Sequence, residues 1–528
     1  MEFLELLNVD SSKLGKLIQA LDKTAFGSQL VDGKSFLGGC MYKEGSTWYK
    51  IGVVNNAGNT QAVIYRVESG GNTAIKSDLT ASLQVDFASL LGYLFAINTT
   101  DGLITSNDLV TTPTWGTVNA VGAPKGSMII IYDNEPYIAG DLTAKSRVYR
   151  GHFHNPAVEA VAYVSGDQTS ATMTTLTVDS TKYLKVGMKF DIYTAGTLTK
   201  VEDSIEITSI VSDTVVGFSS TNVAVLNDDE IYLEDTRNPA VIRILWDTAE
   251  DNFDIQPDDG FDIKGFAVNS NRLITWKDNS MWRWDKSQNV CIDPTIGCSS
   301  KKSIVTIGKY TFWIYKNVWY VYDGSTPTAI SSKVESIFND ISDNSICVGI
   351  GDNLQNRIYL YIGDIDCDQM TASDVWAVYD IKKDLIEFRQ DIPCTVAFQD
   401  VSGVGPPKMY IGDEDGVISE LNAGTTTATG FSSKRKFLDQ GAPEKVKGYY
   451  AIITISDQPG GTIGYGLNYE KTSYKTLGDI KKKMQAFKFP ENTLGDSISF
   501  WWYGASSGKR PSLLGVALLY WEEGYDLS

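Results

Sequence analysis

A chain of 528 residues exceeds what one hydrophobic core organises, so two to four domains are expected. Its composition, 42% hydrophobic and 11% aromatic with 47 Gly against 15 Pro, suits packed β-structure joined by many tight turns. The net charge of −19 argues against a protein that wraps nucleic acid. Six scattered Cys with no CxxC, and only two His, argue against a zinc site.

The first 38 residues read as a lead-in. MEFLELLNVD lacks a basic stretch followed by an apolar core, so no secretory leader is expected, and the six Cys are expected reduced in a cytosol. No apolar run reaches the roughly 18 residues that would cross a membrane. Leu14, Ile18 and Leu21 have helical spacing and predict one short helix. From residue 39 the grammar is strand, polar break, strand. TWYKIGVV (47–54) and QAVIYRVES (61–69) flank NNAGN, and LLGYLFAIN (90–98) and GLITSND (102–108) flank TTD. SMIIIYD, EPYIAG and SRVYRGHF continue it over 127–153.

Over 160–235 Trp is absent, Thr is frequent, and four Lys stand against twelve acids, a net of −8. The segments TLTVDS, KFDIYT, IEITSIV and VVGFSS predict short strands of a small barrel or sandwich inserted into a loop. The earlier grammar resumes at AVIRILWD (240–247) and is clearest in two phrases, GFAVNSNRLITWKDNSMWRWD (265–285) and SIVTIGKYTFWIYKNVWYVYDG (303–324). Each is three strands long and heavy in Trp and Tyr, which is how a repeated propeller unit is written. SKVESIFNDI (332–341) places Val334, Ile337, Phe338 and Ile341 on one helical face, with Ser332 and Glu335 at capping-box spacing. NRIYLYIGD with VWAVYDIKKDLIEF, and then KMYIGDEDGVISELN, supply two more units. The expected fold is all-β: a β-propeller of six or seven blades over 39–158 and 240–430, with the insert at 160–235. Longer strands over 431–528, where thirteen basic residues stand against ten acids, predict a C-terminal β-sandwich.

Chemistry is sparse. His152 and His154 stand two apart in RGHFHNP without an evident third ligand. The acidic stretch 247–262, with Asp247, Glu250, Asp251, Asp254, Asp258 and Asp259, could offer a carboxylate pair for glycoside hydrolysis, but it also reads as a solvated link between blades. GDEDGVISE (412–420) looks like a calcium loop but lacks the twelfth-position ligand, so a turn with Gly416 at positive φ explains it more simply. SNDLVTTPTW (106–115) is a degenerate likeness of a sialidase Asp-box, without an identifiable arginine triad. Trp276, Trp282, Trp284, Trp313, Trp319, Tyr320 and Tyr322 could be sugar platforms and are expected in packing between blades. Lys481–Lys483 is expected in a solvated loop. No catalytic, cofactor-binding or metal-binding residue is expected.

The order of phrases over 262–331, with the link IGCSSKKSIV (296–305) and the following helix, resembles the β-propeller tail hub or nozzle proteins of short-tailed bacteriophages. FLDQGAPEKVKGYY (437–450) resembles their closing domain. The resemblance covers roughly 240–455, is weak over 1–158, and leaves the insert without a counterpart. It implies a non-enzymatic virion subunit of the phage tail, assembled in the host cytoplasm into a homo-oligomeric, hexameric ring. Its partners would be a tail adaptor or tube protein and tail fibres or spikes, with genomic DNA passing through unheld and no cofactor. On that reading the acidic insert and Asp247, Glu250, Asp251, Asp254, Asp258 and Asp259 would line the channel, because like charge keeps a duplex from sticking. The alternative is a carbohydrate-binding or sialidase-like propeller acting on host surface glycans. A WD-type scaffold ranks last, because the GH…WD signature is missing.

Overall fold

The computed structural model describes every residue except 1–2, 8, 11–16, 91, 111–112, 114, 117–119, 121, 155–159, 198, 234–242, 250, 368–369, 401, 403–406, 424–430, 436–446, 469–473, 492, 496, 505–510 and 523–528. The chain forms two compact units. One holds Leu37–Val67 and Asn72–Gly297; the other holds Met1–Phe36, Glu68–Gly71 and Cys298–Ser528.

The chain is a β-propeller protein, and among the described residues seven sheets have the up-and-down order of blades. In the unit built on Leu37–Val67 and Asn72–Gly297, the first runs Phe36–Glu44, Thr47–Asn55, Gln61–Glu68 and Gly71–Thr80. The second runs Asp86–Leu90, Tyr93–Asn98 and Gly102–Ser106. The third joins Met128–Tyr132, Glu135–Ala139 and Arg147–His154, with Asn252–Asp254 outside them. The fourth is Ile263–Asn269, Arg272–Lys277, Met281–Trp284 and Asn289–Asp293.

In the other unit the fifth and sixth sheets are Val305–Ile307, Tyr310–Tyr315, Val318–Tyr322, Thr328–Ala329 and then Val348–Asp352, Arg357–Cys367, Met370–Asp380, Leu385–Arg389. The seventh, Val396–Gln399, Met409–Gly412 and Ile418–Glu420, is completed by Thr24–Ala25 from the start of the chain.

Local chemistry sets the hairpins. The two-residue turns Asp133–Asn134, Ser270–Asn271 and Lys316–Asn317 have both residues at positive φ. That is the type I′ geometry whose twist matches the flanking strands, and Asn tolerates it better than most residues. Along Ile263–Asn269 burial alternates residue by residue, as a pleated strand requires. Trp276, Trp313 and Trp319 are fully buried, and Trp319 stacks on Phe338 at 6.0 Å. Phe338 sits on the short helix Glu335–Asn339, whose Ile337 and Phe338 are buried as the spacing predicts. The capping box does not form: the helix begins after Val334 with no side-chain cap, because a 3₁₀ turn over Ser331–Val334 leads into it.

The insert is a six-stranded sheet closing on its own core of Leu176, Phe190, Ile207, Val216 and Ile231. It leaves the third blade on a two-stranded stalk. Gly151, His152, Phe153 and His154 pair with Trp246, Leu245, Ile244 and Arg243.

The C-terminal segment is a sandwich. One sheet holds Phe431–Arg435, Ile498–Gly504, Thr462–Leu467 and Lys475–Asp479; the other centres on Lys447–Ile455, flanked by Met484–Lys488 and Gly515–Glu522. Ile452, Tyr465, Phe500 and Trp502 share the core between them. The N-terminal strand Phe3–Leu7 joins this sandwich to the sixth blade, antiparallel to Phe431–Arg435 and parallel to Leu385–Arg389.

The expected N-terminal helix is corrected. Leu17–Gln19 is a strand between Val9–Asp10 and Ser512–Leu513, so long-range pairing overrides the local helical spacing; Leu14 lies outside the described residues.

Candidate functional site at the root of the insert

Two features singled out in the sequence, the His-bearing strand and the acidic stretch, meet at the stalk. Alternation along Arg147–His154 puts Arg150 and His152 on one face. Beneath them lies Glu135, the first residue of the neighbouring strand and 7% exposed. Its carboxylate accepts from Arg150 Nε at 2.5 Å and from Nη2 at 3.0 Å, and His152 Nδ1 lies 3.2 Å away. Burial works to raise the Glu135 carboxyl, but the hydrogen bonds from His152 and Arg150 outweigh it and hold the group at about 2. An ionised carboxylate only accepts, so His152 Nδ1 carries the proton and Nε2 is the other ring nitrogen.

The acidic stretch approaches the same place. The Arg150 backbone N–H donates to the Asp251 carbonyl at 2.8 Å, and the Asp251 N–H donates to the Asp247 carbonyl at 2.8 Å. Burial pushes the Asp251 carboxyl above the usual range; Lys182 opposes this and Asp247 adds to it. Asp251 Oδ2 is buried and has no hydrogen-bond partner among the described residues. The insert contributes Lys182, 3.8 Å from Asp251, and Tyr183, whose ring stacks on His152 at 6.1 Å with 19° between planes. Arg150, His152 and Lys182 all remain partly exposed over the buried Glu135. Glu135, Lys182 and Tyr183 carry no sequence signature, and only the fold brings them here.

The other predicted positions are placed as follows. Asp254 is held below the usual carboxylate range by its bidentate bond with Arg147, at 2.8 and 2.9 Å. Asp259 pairs with Lys277, a fully buried lysine whose Nζ also donates to Ser146 Oγ and to the carbonyls of Ile255 and Gln256. Asp247 is buried and caps the turn through Ala249 N–H. Asp258 is exposed, and Glu250 lies outside the described residues. Asp254 and Asp259 are thus each paired with a basic side chain.

Trp276, Trp313 and Trp319 are core residues, and Trp284 stacks on Phe253 at 4.3 Å. In GDEDGVISE, Asp413 Oδ1 accepts from the N–H groups of Asp415 and Val417 around Gly416 at φ 76°, which makes the segment a turn. Lys481–Lys483 is exposed. Among the described residues no group of three His, Cys, Asp or Glu side chains could hold a metal ion, no helix is long and apolar enough to cross a membrane, and no disulfide joins any of the six Cys.

No family model matches the chain, and no curated protein matches it. Similar solved structures include YCF48 bound to D1 peptide (8% identity, TM-score 0.34, covering 75% of this chain and 97% of that one). They also include the phage phi92 endosialidase (8%, 0.29, 92% and 70%) and an exo-β-1,3-galactanase from Phanerochaete chrysosporium (8%, 0.25, 94% and 100%). The expectation of a non-enzyme is corrected by these matches, most of which are glycosidases. At such scores the likeness carries no argument about substrate or mechanism. Nothing in these similarities specifically shows a tail hub or nozzle protein.

Proposed function

We propose that this β-propeller protein acts on glycans and does so at the root of its insert. The observation that carries the reading is the convergence of Glu135, Arg150, His152 and Asp251 beside the ring of Tyr183. Such a set suits a sugar: a ring face packs the C–H side of a pyranose, and charged side chains bond its hydroxyls.

The two carboxylates have different tasks. Glu135 is ionised and bonded to the Arg150 guanidinium and to His152 Nδ1, so it orients both side chains. Burial shifts Asp251 toward the neutral form, so it takes the role of the acid. In hydrolysis Asp251 protonates the glycosidic oxygen as its bond to the anomeric carbon breaks. Water adds to that carbon and passes its proton to His152 Nε2.

A glycan array probed with the purified protein tests the binding half of this reading. The wild type is expected to bind a defined set of glycans, and Arg150→Ala and Tyr183→Ala are expected to lose the same members of that set while remaining folded. A folded wild type that binds nothing on the array contradicts it.

The phrases over 262–331 favour a setting for this activity, a phage tail component that meets host surface glycans. A homo-oligomeric ring with an adaptor and fibres belongs to that setting. Electron microscopy of the purified protein tests it: rings support it and monomers oppose it.

A further inference from the structure

A groove between the strands of the fifth and sixth blades has a volume of about 370 Å³, at the lower end of the range for small-molecule sites. Its floor is aromatic and apolar. Tyr379 is buried, Tyr310 is half-buried, and Lys309 Nζ lies 5.1 Å from the Tyr310 ring centroid. Its rim is polar and exposed: Asp323, Ser332, Lys333 and Asp384.

The rim is held in place by its own bonds. Tyr379 Oη donates to Asp384 Oδ1 at 3.2 Å, and Lys333 pairs with the same carboxylate. Asp323 Oδ1 accepts from the Ser325 backbone N–H at 3.0 Å and from Oγ at 2.6 Å, bonds that hold the carboxyl below the usual carboxylate range.

We infer that this groove is a saccharide-binding site, separate from the cluster at the insert and specific for neutral sugars. An aromatic floor packs the apolar face of a pyranose, while fixed carboxylates accept from its hydroxyls. The two rim carboxylates are balanced by Lys333 and Lys309, and on a chain of net charge −19 such a groove favours a neutral sugar over an anionic one. The inference does not depend on catalysis at Asp251, since the residues belong to different units.

Isothermal titration with cellotriose, maltotriose and xylotriose tests it, with a sialic acid-bearing trisaccharide as the charged control. One neutral trisaccharide is expected to bind, and Tyr310→Ala and Asp323→Asn should each weaken it about tenfold. Asp323→Asn is an exposed, isosteric change, so it decides the matter if Tyr310→Ala destabilises the fold. Binding of the neutral trisaccharide should be retained in the Arg150→Ala protein, which separates this groove from the insert site. Absence of binding to all three neutral sugars, tighter binding of the charged control, or binding unchanged in a folded Asp323→Asn protein would overturn the inference.

Discussion

Glu135 and Arg150 are joined by a bidentate pair, with Arg150 directly opposite Tyr137 two residues further along the neighbouring strand. The geometry matches the planar guanidinium fork to the carboxylate, and a lysine could not reproduce it. The pair ties the third blade to the insert through His152 and Tyr183.

Glu135→Gln should therefore lower stability by about 1–2 kcal/mol, the value of a charged hydrogen-bonded pair discounted for the exposure of Arg150. The sign with pH is defined. The folded carboxyl sits at about 2 against an ordinary 4.5, so the pair's contribution is complete above 4.5 and lost as the pH falls toward 2. Urea unfolding of both proteins at pH 7 and pH 3 checks this. The gap between wild type and variant should narrow in acid; a gap that is constant or widens is the opposing result.

Lys277 is a second point of leverage. Its buried ammonium serves four oxygens and holds the turn Pro257–Asp259, preceded by Gln256 at φ 45°. Lys277→Met leaves a buried carboxylate and two carbonyls without their donor and should cost about 3–5 kcal/mol. Denaturant midpoints measure it, and a loss below about 1 kcal/mol would mean that solvent reaches these oxygens.

The insert is expected to be removable. Because Arg147–His154 and Arg243–Trp246 pair side by side, replacing 160–235 with a short linker bridges a small gap. The shortened chain should keep its β circular dichroism and a cooperative melt but lose Lys182, Tyr183 and the glycan binding that depends on Arg150. Global unfolding, or full retention of the Arg150-dependent binding, would contradict the assignment.

Much of the architecture is legible because it is local. Short aromatic strands separated by Ser270–Asn271 or Lys316–Asn317 specify hairpins by period and turn chemistry alone. The elements that escape are those made by distant partners. Thr24–Ala25 is too short to show a pattern and is a strand only because Ser419 and Glu420 accept it. Leu17–Gln19 is turned from helix to strand by residues almost at the other end of the chain. The site escapes for the same reason. His152 and Asp251 are conspicuous, but Glu135 sits in EPYIAG with nothing to mark it, and Tyr183 belongs to the insert.

The central claim is that this propeller acts on glycans through Asp251. The measurement that meets it most directly is mass spectrometric detection of released saccharides after incubating purified protein with a panel of bacterial surface polysaccharides, with wild type and Asp251→Asn compared side by side. The account predicts products from the wild type, and turnover reduced by roughly 10²–10⁴-fold in Asp251→Asn, the usual contribution of a general acid, with binding retained. Turnover that is unchanged in a folded Asp251→Asn protein, or no product from any polysaccharide the wild type binds, would contradict it.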